Sequence, residues 1–242
     1  MKKLVFTIII SFACALTIIA QDGNRKLTLK PYQGLTVSKY ILTEGQQLFV
    51  DRIGITEGLE AEYGINSRLS ISLGASYTQM GAKLDIPDDS NTSYGFGTYA
   101  YQYHERKGTF RCSYISVPLF LNFHLCKGIA VGTGVQAGFL LKSGVTIEDN
   151  FYSSDPRLSM HFPYNPTATN SAELEIKDIC KKFDWGIPVG LSIEYKDFTL
   201  DTRYYFGLNK VLKTSSDDTK VVDKNVYNRC LSITLGYKFR VK

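Results

Sequence analysis

The sequence predicts an all-β protein: an eight-stranded antiparallel up-and-down transmembrane β-barrel with short periplasmic turns and long extracellular loops. Three observations predict it. Alternating apolar and polar runs arrive in pairs joined by a few residues. Long polar connections, Leu84–Thr109, Ser143–Lys182 and Asn209–Asn228, separate one pair from the next. The apolar residues of each pair fall on one face once the short turn is closed. Short turns at one end and long loops at the other mark barrels of the outer-membrane type.

The chain opens with a secretory signal, Met1–Ala20. Lys2 and Lys3 form its charged start, Leu4–Thr17 its apolar stretch, and Ala20-Gln21 its cleavage point. Cys14, preceded by Ser11-Phe12-Ala13, is a poor lipoprotein site. Residues 21–242 then form the barrel domain. Elsewhere no apolar run reaches the roughly eighteen residues a spanning helix needs. The mean hydropathy of −0.10 suits a barrel, in which only alternate residues face lipid. Without its leader the chain keeps 26 basic and 23 acidic residues, a net charge of +3. That is too weak and scattered for nucleic acid. It is compatible with contact to lipid head groups.

Eight strands follow. A weak first strand covers Gly34–Leu42. Ile53–Tyr63 and Leu69–Tyr77 flank Gly64–Arg68, a register that pairs Tyr63 with Leu69. Ile115–Leu125 and Ile129–Leu141 flank Cys126–Gly128, pairing Leu125 with Ile129 and Phe123 with Val131. Ile187–Tyr195 and Phe198–Leu208 flank Lys196-Asp197, pairing Tyr195 with Phe198. Cys230–Val241 is the last strand. A slip of one residue in any hairpin would destroy its apolar face. Aromatics gather at both ends of that face. Tyr63, Phe123, Tyr195, Phe198, Tyr237 and Phe239 lie by the short turns; Tyr77, Phe139, Trp185 and Phe206 lie toward the loops. Glu57 alone breaks the pattern. A bulge near Gly58 or a place close to the membrane interface would relieve it.

The inward face carries Glu60, Glu62, Asp184, Glu194, Asp201, Arg203, Lys238 and Arg240. An eight-stranded bore is only wide enough for side chains to fill. These charges are therefore expected to pair as a polar lumen network, with Arg203 opposite Asp201, Glu194 or Asp184, rather than to line a water pore. No catalytic, metal or cofactor site is predicted. His104, His124 and His161 are unclustered, and no nucleophile motif occurs. Cys112, Cys126, Cys180 and Cys230 lack metal-ligand spacing. Cys112, Cys180 and Cys230 fall near the loop mouths, so one disulfide or buried free thiols both fit. Loops carry recognition on a rigid scaffold. Tyr94, Phe96, Tyr99, Tyr101 and Tyr103 crowd one loop and form the candidate contact surface; packing of that loop on itself accounts for them equally well.

Tyr114-Ile115-Ser116-Val117-Pro118-Leu119-Phe120-Leu121 resembles a strand of the PorT-like outer-membrane β-barrel family. Phe183-Asp184-Trp185-Gly186 through Gly190-Leu191, then Arg203–Leu208 and Leu235–Phe239, resemble its later blocks. The resemblance implies an eight-stranded barrel of a Gram-negative envelope, without catalytic motif or cofactor. One member is linked to protein secretion. The expected role is structural or interactive in the cell outer membrane, with outer-membrane lipid and envelope or secretion proteins as partners. A small pore and a lipid-modifying enzyme are the alternatives.

Overall fold

The computed structural model describes residues 27–42, 49–88, 101–154, 168–177, 179–213 and 225–241. The expected signal, Met1–Ala20, therefore lies outside the described residues. Among the described residues there are eleven strands: β1 (Leu27–Leu42), β2 (Phe49–Val50), β3 (Arg52–Gly64), β4 (Leu69–Asp88), β5 (Tyr101–Cys126), β6 (Ile129–Ser154), β7 (Ala168–Glu175), β8 (Phe183–Tyr195), β9 (Phe198–Lys210), β10 (Val226–Tyr237) and β11 (Phe239–Val241). Eight of them form an antiparallel ring in the order β1, β3, β4, β5, β6, β8, β9, β10. β10 returns to β1 along a continuous register from Tyr32 opposite Gly236 to Leu42 opposite Val226. β11 extends that seam against Leu27–Leu29. The ring leaves no open edge, as a sheet in hydrocarbon requires.

The short turns set the registers. Tyr195 faces Phe198 across Lys196-Asp197, with Lys196 at φ 58. Phe123 faces Val131, but Cys126, not Leu125, closes on Ile129. A bulge between His124 and Cys126 absorbs Leu125 and reduces the turn to Lys127-Gly128, where Gly128 takes φ 84. In the first hairpin Tyr63 faces Ile71 rather than Leu69. The cause is local. The Asn66 side-chain oxygen accepts from the Arg68 and Leu69 amides, both at 2.8 Å, while the Leu69 carbonyl accepts from Ile65 and Asn66. This Asx-type turn holds Leu69 out of the ladder with β3, which ends at Gly64 opposite Ser70. The shift of two residues preserves every face.

The apolar face is the outside of the ring. Leu121, Leu191 and Leu235 are 47%, 42% and 56% exposed. Alternating neighbours such as Glu60, Ser72, Ser116 and Asp201 are buried. Aromatics meet at both margins of the apolar band. Phe198, Tyr237 and Phe239 stack edge to face near the short turns, and Phe139 meets Phe183 at 5.4 Å toward the loops. The ladder passes through Gly58 without a register shift, so no bulge relieves Glu57. Its carboxylate stands outside, between Gln33 and the margin residue Tyr77.

The strands outrun the apolar runs that announce them. β1 begins at Leu27, and β4, β5 and β6 continue into what reads as loop sequence. A spanning strand needs about 9–11 residues, whereas β5 and β6 each have 26. Above the band, β2 and β7 pair with β4 and β6 and widen this projection into a sheet. Alternation fades there because neither face must meet lipid. Replacing an outward residue near mid-band, Val189→Arg, is expected to cost about 2–4 kcal/mol, measured by urea unfolding of the protein folded in vesicles.

Candidate functional site

The bore is stratified. Near the short turns it holds charge; near the long loops it holds apolar and aromatic side chains. Both follow from the same inward parity, read at different heights.

The charged half is a network of two neighbouring ion-pair chains. β1 delivers Lys30, whose Nζ lies 3.0 Å from Glu60 and 2.8 Å from Asp201. β9 delivers Arg203, which reaches the second Glu60 oxygen at 2.7 Å and stacks over the Phe120 ring at 4.3 Å. Lys238 bridges Glu62 at 2.8 Å and Glu194 at 2.9 Å. At the rim Arg240 meets Glu194 and Asp197 at 3.2 and 3.3 Å. Ser70 donates to Glu62, and His124 lies 3.5 Å from the same carboxylate. Lys30, Arg203, Lys238 and Arg240 thus balance Glu60, Glu62, Asp201 and Glu194. A buried charge without a partner costs several kcal/mol, so the balance is a condition of folding.

The upper half closes differently. Met80, Cys112, Tyr114, Leu140, Tyr205 and Cys230 project from five strands into one buried cluster with Cys180. Cys180 belongs to the segment joining β7 to β8, which is strapped across the mouth. Ile176 donates to the Ser143 carbonyl, Lys181 to Val211 and, in return, Lys213 to Ile179. Two cavities within the bore are each about 40 Å³, on the scale of a single water's share of liquid, roughly 30 Å³. Arg203 lines both. Such a bore can hold water and ions in place. Among the described residues no group of three or more His, Cys, Asp or Glu is arranged to hold a metal ion.

The network gathers seven of the eight inward charges. Arg203 chooses Glu60, while Asp201 takes Lys30 and Glu194 takes Lys238 and Arg240. Arg240 stays 57% exposed at the rim. Asp184 stands apart in the upper half, accepting from Tyr205 at 3.2 Å and Asn228 at 2.8 Å. Lys30, with His124 and Asp197, joins these contacts without being predicted, and Lys30 is missed because the sequence reading begins the first strand at Gly34. Extending the inward parity of Gly34 and Thr36 back to position 30 would have found it. Tyr94, Phe96 and Tyr99 lie outside the described residues. Tyr101 and Tyr103 lie in β5, opposite Ser154 and Tyr152.

Two outcomes are expected from this layout. Lys30→Met should cost about 3–5 kcal/mol by leaving Asp201 buried and uncompensated, and adding Asp201→Asn should recover most of it; urea unfolding in vesicles measures both. The thiols should divide by access rather than acidity. A hydrogen bond from Cys112 holds the Cys180 thiol down to about 7 against its burial, yet among the described cysteines Cys112, Cys180 and Cys230 are buried and only Cys126 is exposed. Of these four cysteines, maleimide should label Cys126 alone in the folded protein and all four after heat denaturation.

The fold resembles solved barrels at low identity. Ail, the attachment invasion locus protein of Yersinia pestis, aligns over 88% of this chain and 98% of its own, with 14% identity and a TM-score of 0.41. Neisserial surface protein A aligns over 88% and 97%, with 14% identity and a TM-score of 0.42. OprG from Pseudomonas aeruginosa aligns over 88% and 96%, with 12% identity and a TM-score of 0.35. No curated protein matches the chain. The family model described as outer membrane protein beta-barrel domain matches residues 19–213. A closed ring, an apolar exterior with aromatic margins and that match agree: the chain is an outer-membrane protein and belongs to the outer membrane protein β-barrel domain family.

Proposed function

We propose that this barrel is a non-catalytic scaffold with a closed bore, anchored in the outer membrane to present its projecting strands to other envelope components. The observation that carries the reading is the bore itself. Paired charges fill one half, an apolar cluster fills the other, and the two internal cavities are about 40 Å³ each. A conduit needs a continuous wet path, which a filled eight-stranded bore lacks. Contact is then left to the outside of the molecule, and above the membrane that outside is the sheet of β2, β4, β5, β6 and β7.

The finer reading follows the PorT-like resemblance. Met1–Ala20 directs export and is removed. The exposed residues of β7, Leu174 among them, face a partner in a secretion or envelope-assembly complex. Pairing with β6 occupies one edge of β7, which leaves its side chains and its other edge for contact.

Planar-bilayer recording separates scaffold from pore. The purified, folded protein should give no steady open current, and a sustained ohmic conductance would sink the closed-bore reading. In cells, a photo-reactive residue at position 174 should cross-link to a discrete envelope protein; the same residue placed at lipid-facing position 189 should not.

A further inference from the structure

We propose that the outer margin of the barrel carries a binding site for the phosphate of an outer-leaflet glycolipid, built by Arg52, Arg111 and Lys142. The family match and the bore are silent on this site. It is read from three successive rows on the outward face of β4, β5 and β6.

The lowest row is Tyr77, Ile115 and Phe139, the aromatic end of the apolar band. The next row is Gln79, Ser113 and Lys142, where the exterior turns polar. Above it Arg111 stands between Gly81 and Gly144. Neither glycine carries a side chain to cover the guanidinium. Arg52 comes in from β3, its Cδ 3.3 Å from where a Cβ on Gly81 would stand. Together these residues line a cavity of 220 Å³, several times the volume share of one water. The register change between Ser113 and Tyr114 turns Lys142 outward beside Ser113.

The charges here are not balanced. In the bore every cation of the network touches a carboxylate. At this margin none of Arg52, Arg111 and Lys142 forms an ion pair among the described residues, and Arg52 reaches the Met80 carbonyl at 3.5 Å. Glu173 of β7 also lines the cavity, which leaves three cations against one carboxylate. Three like charges at a shared cavity repel one another, and a dianion relieves that repulsion. Arginine forks match phosphate oxygens two at a time. Tyr77, which donates to Ser113 at 2.9 Å, and Gln79 supply polar groups at sugar height.

Height identifies the source of the phosphate. The long-loop end of such a barrel faces outside, so this row stands at the head groups of the outer leaflet. The apolar outward residues farther down the same strands, Leu119 and Val135 among them, would accompany the lipid's acyl chains. A free anion gains nothing from them.

The test uses the full-length folded protein in non-ionic detergent, with phosphorylated lipid A and the same lipid dephosphorylated as probes. Binding is followed by native mass spectrometry, and folding by gel mobility without boiling. The wild type should prefer the phosphorylated lipid by at least about tenfold, or 1.4 kcal/mol. The exposed double variant R111Q/K142Q should lose that preference. Lys83→Gln, an exposed β4 cation outside the cavity, should keep it. Equal binding of both lipids to the wild type, or wild-type preference in the double variant, overturns the proposal. So does an equal loss in K83Q, which would mean unspecific attraction. Displacement of the lipid by millimolar inorganic phosphate would make a free anion the ligand and overturn the lipid assignment.

Discussion

Hydrocarbon tolerates no unpaired peptide group, and every other feature of this barrel answers to that constraint. The seam between β1 and β10 is where it is met. Those strands come from opposite ends of the chain, and pairing them removes the last edge of the ring. Closure with eight strands then leaves a bore that side chains must fill. Once the bore is that narrow, a charge inside it has either a partner or a large desolvation cost.

The bore shows two solutions to being filled. Near the short turns, charges from β1, β3, β8, β9 and the β10–β11 end form chains of ion pairs, and Lys30 joins β3 to β9 alongside the direct pair of Arg203 with Glu60. These links run between residues far apart in sequence and hold the seam from within. Near the loops, inward positions carry tyrosine, cysteine and leucine, and Ile176 and residues 179–182 cover them. An apolar plug under that strap needs no counter-charges. The two halves meet at Arg203, which is paired with Glu60 on one side and stacked on Phe120 on the other.

A filled bore moves contact to the exterior, and the exterior is also two-sided. The apolar band between its aromatic margins meets lipid. The strands that run past it meet whatever lies outside, and they do so as a sheet rather than as loose loops. Between band and sheet lies a narrow zone where apolar rows give way to cations in the space of four residues of β5. Proteins of this build face lipid, head group and solvent along a single strand.

The amino-acid sequence by itself determined the barrel. Period-two alternation, the contrast between short and long connections, and matching parity across each hairpin specify eight strands and their faces, because lipid punishes any other assignment of those side chains. Tyr195 opposite Phe198 and Phe123 opposite Val131 were legible for that reason. Only the tertiary structure decided what depends on neighbours distant in the chain or on local turn geometry. Asn66 moved the first hairpin by two residues, and a bulge at Leu125 altered the second. The continuation of β4, β5 and β6 was hidden because, above the membrane, no face has to stay apolar and the alternation lapses. The choice of Glu60 by Arg203, the entry of Lys30 and the exclusion of Asp184 were hidden as well. Parity states which side chains point inward, but the heights at which they meet across the ring are set by strand stagger, which no single strand encodes.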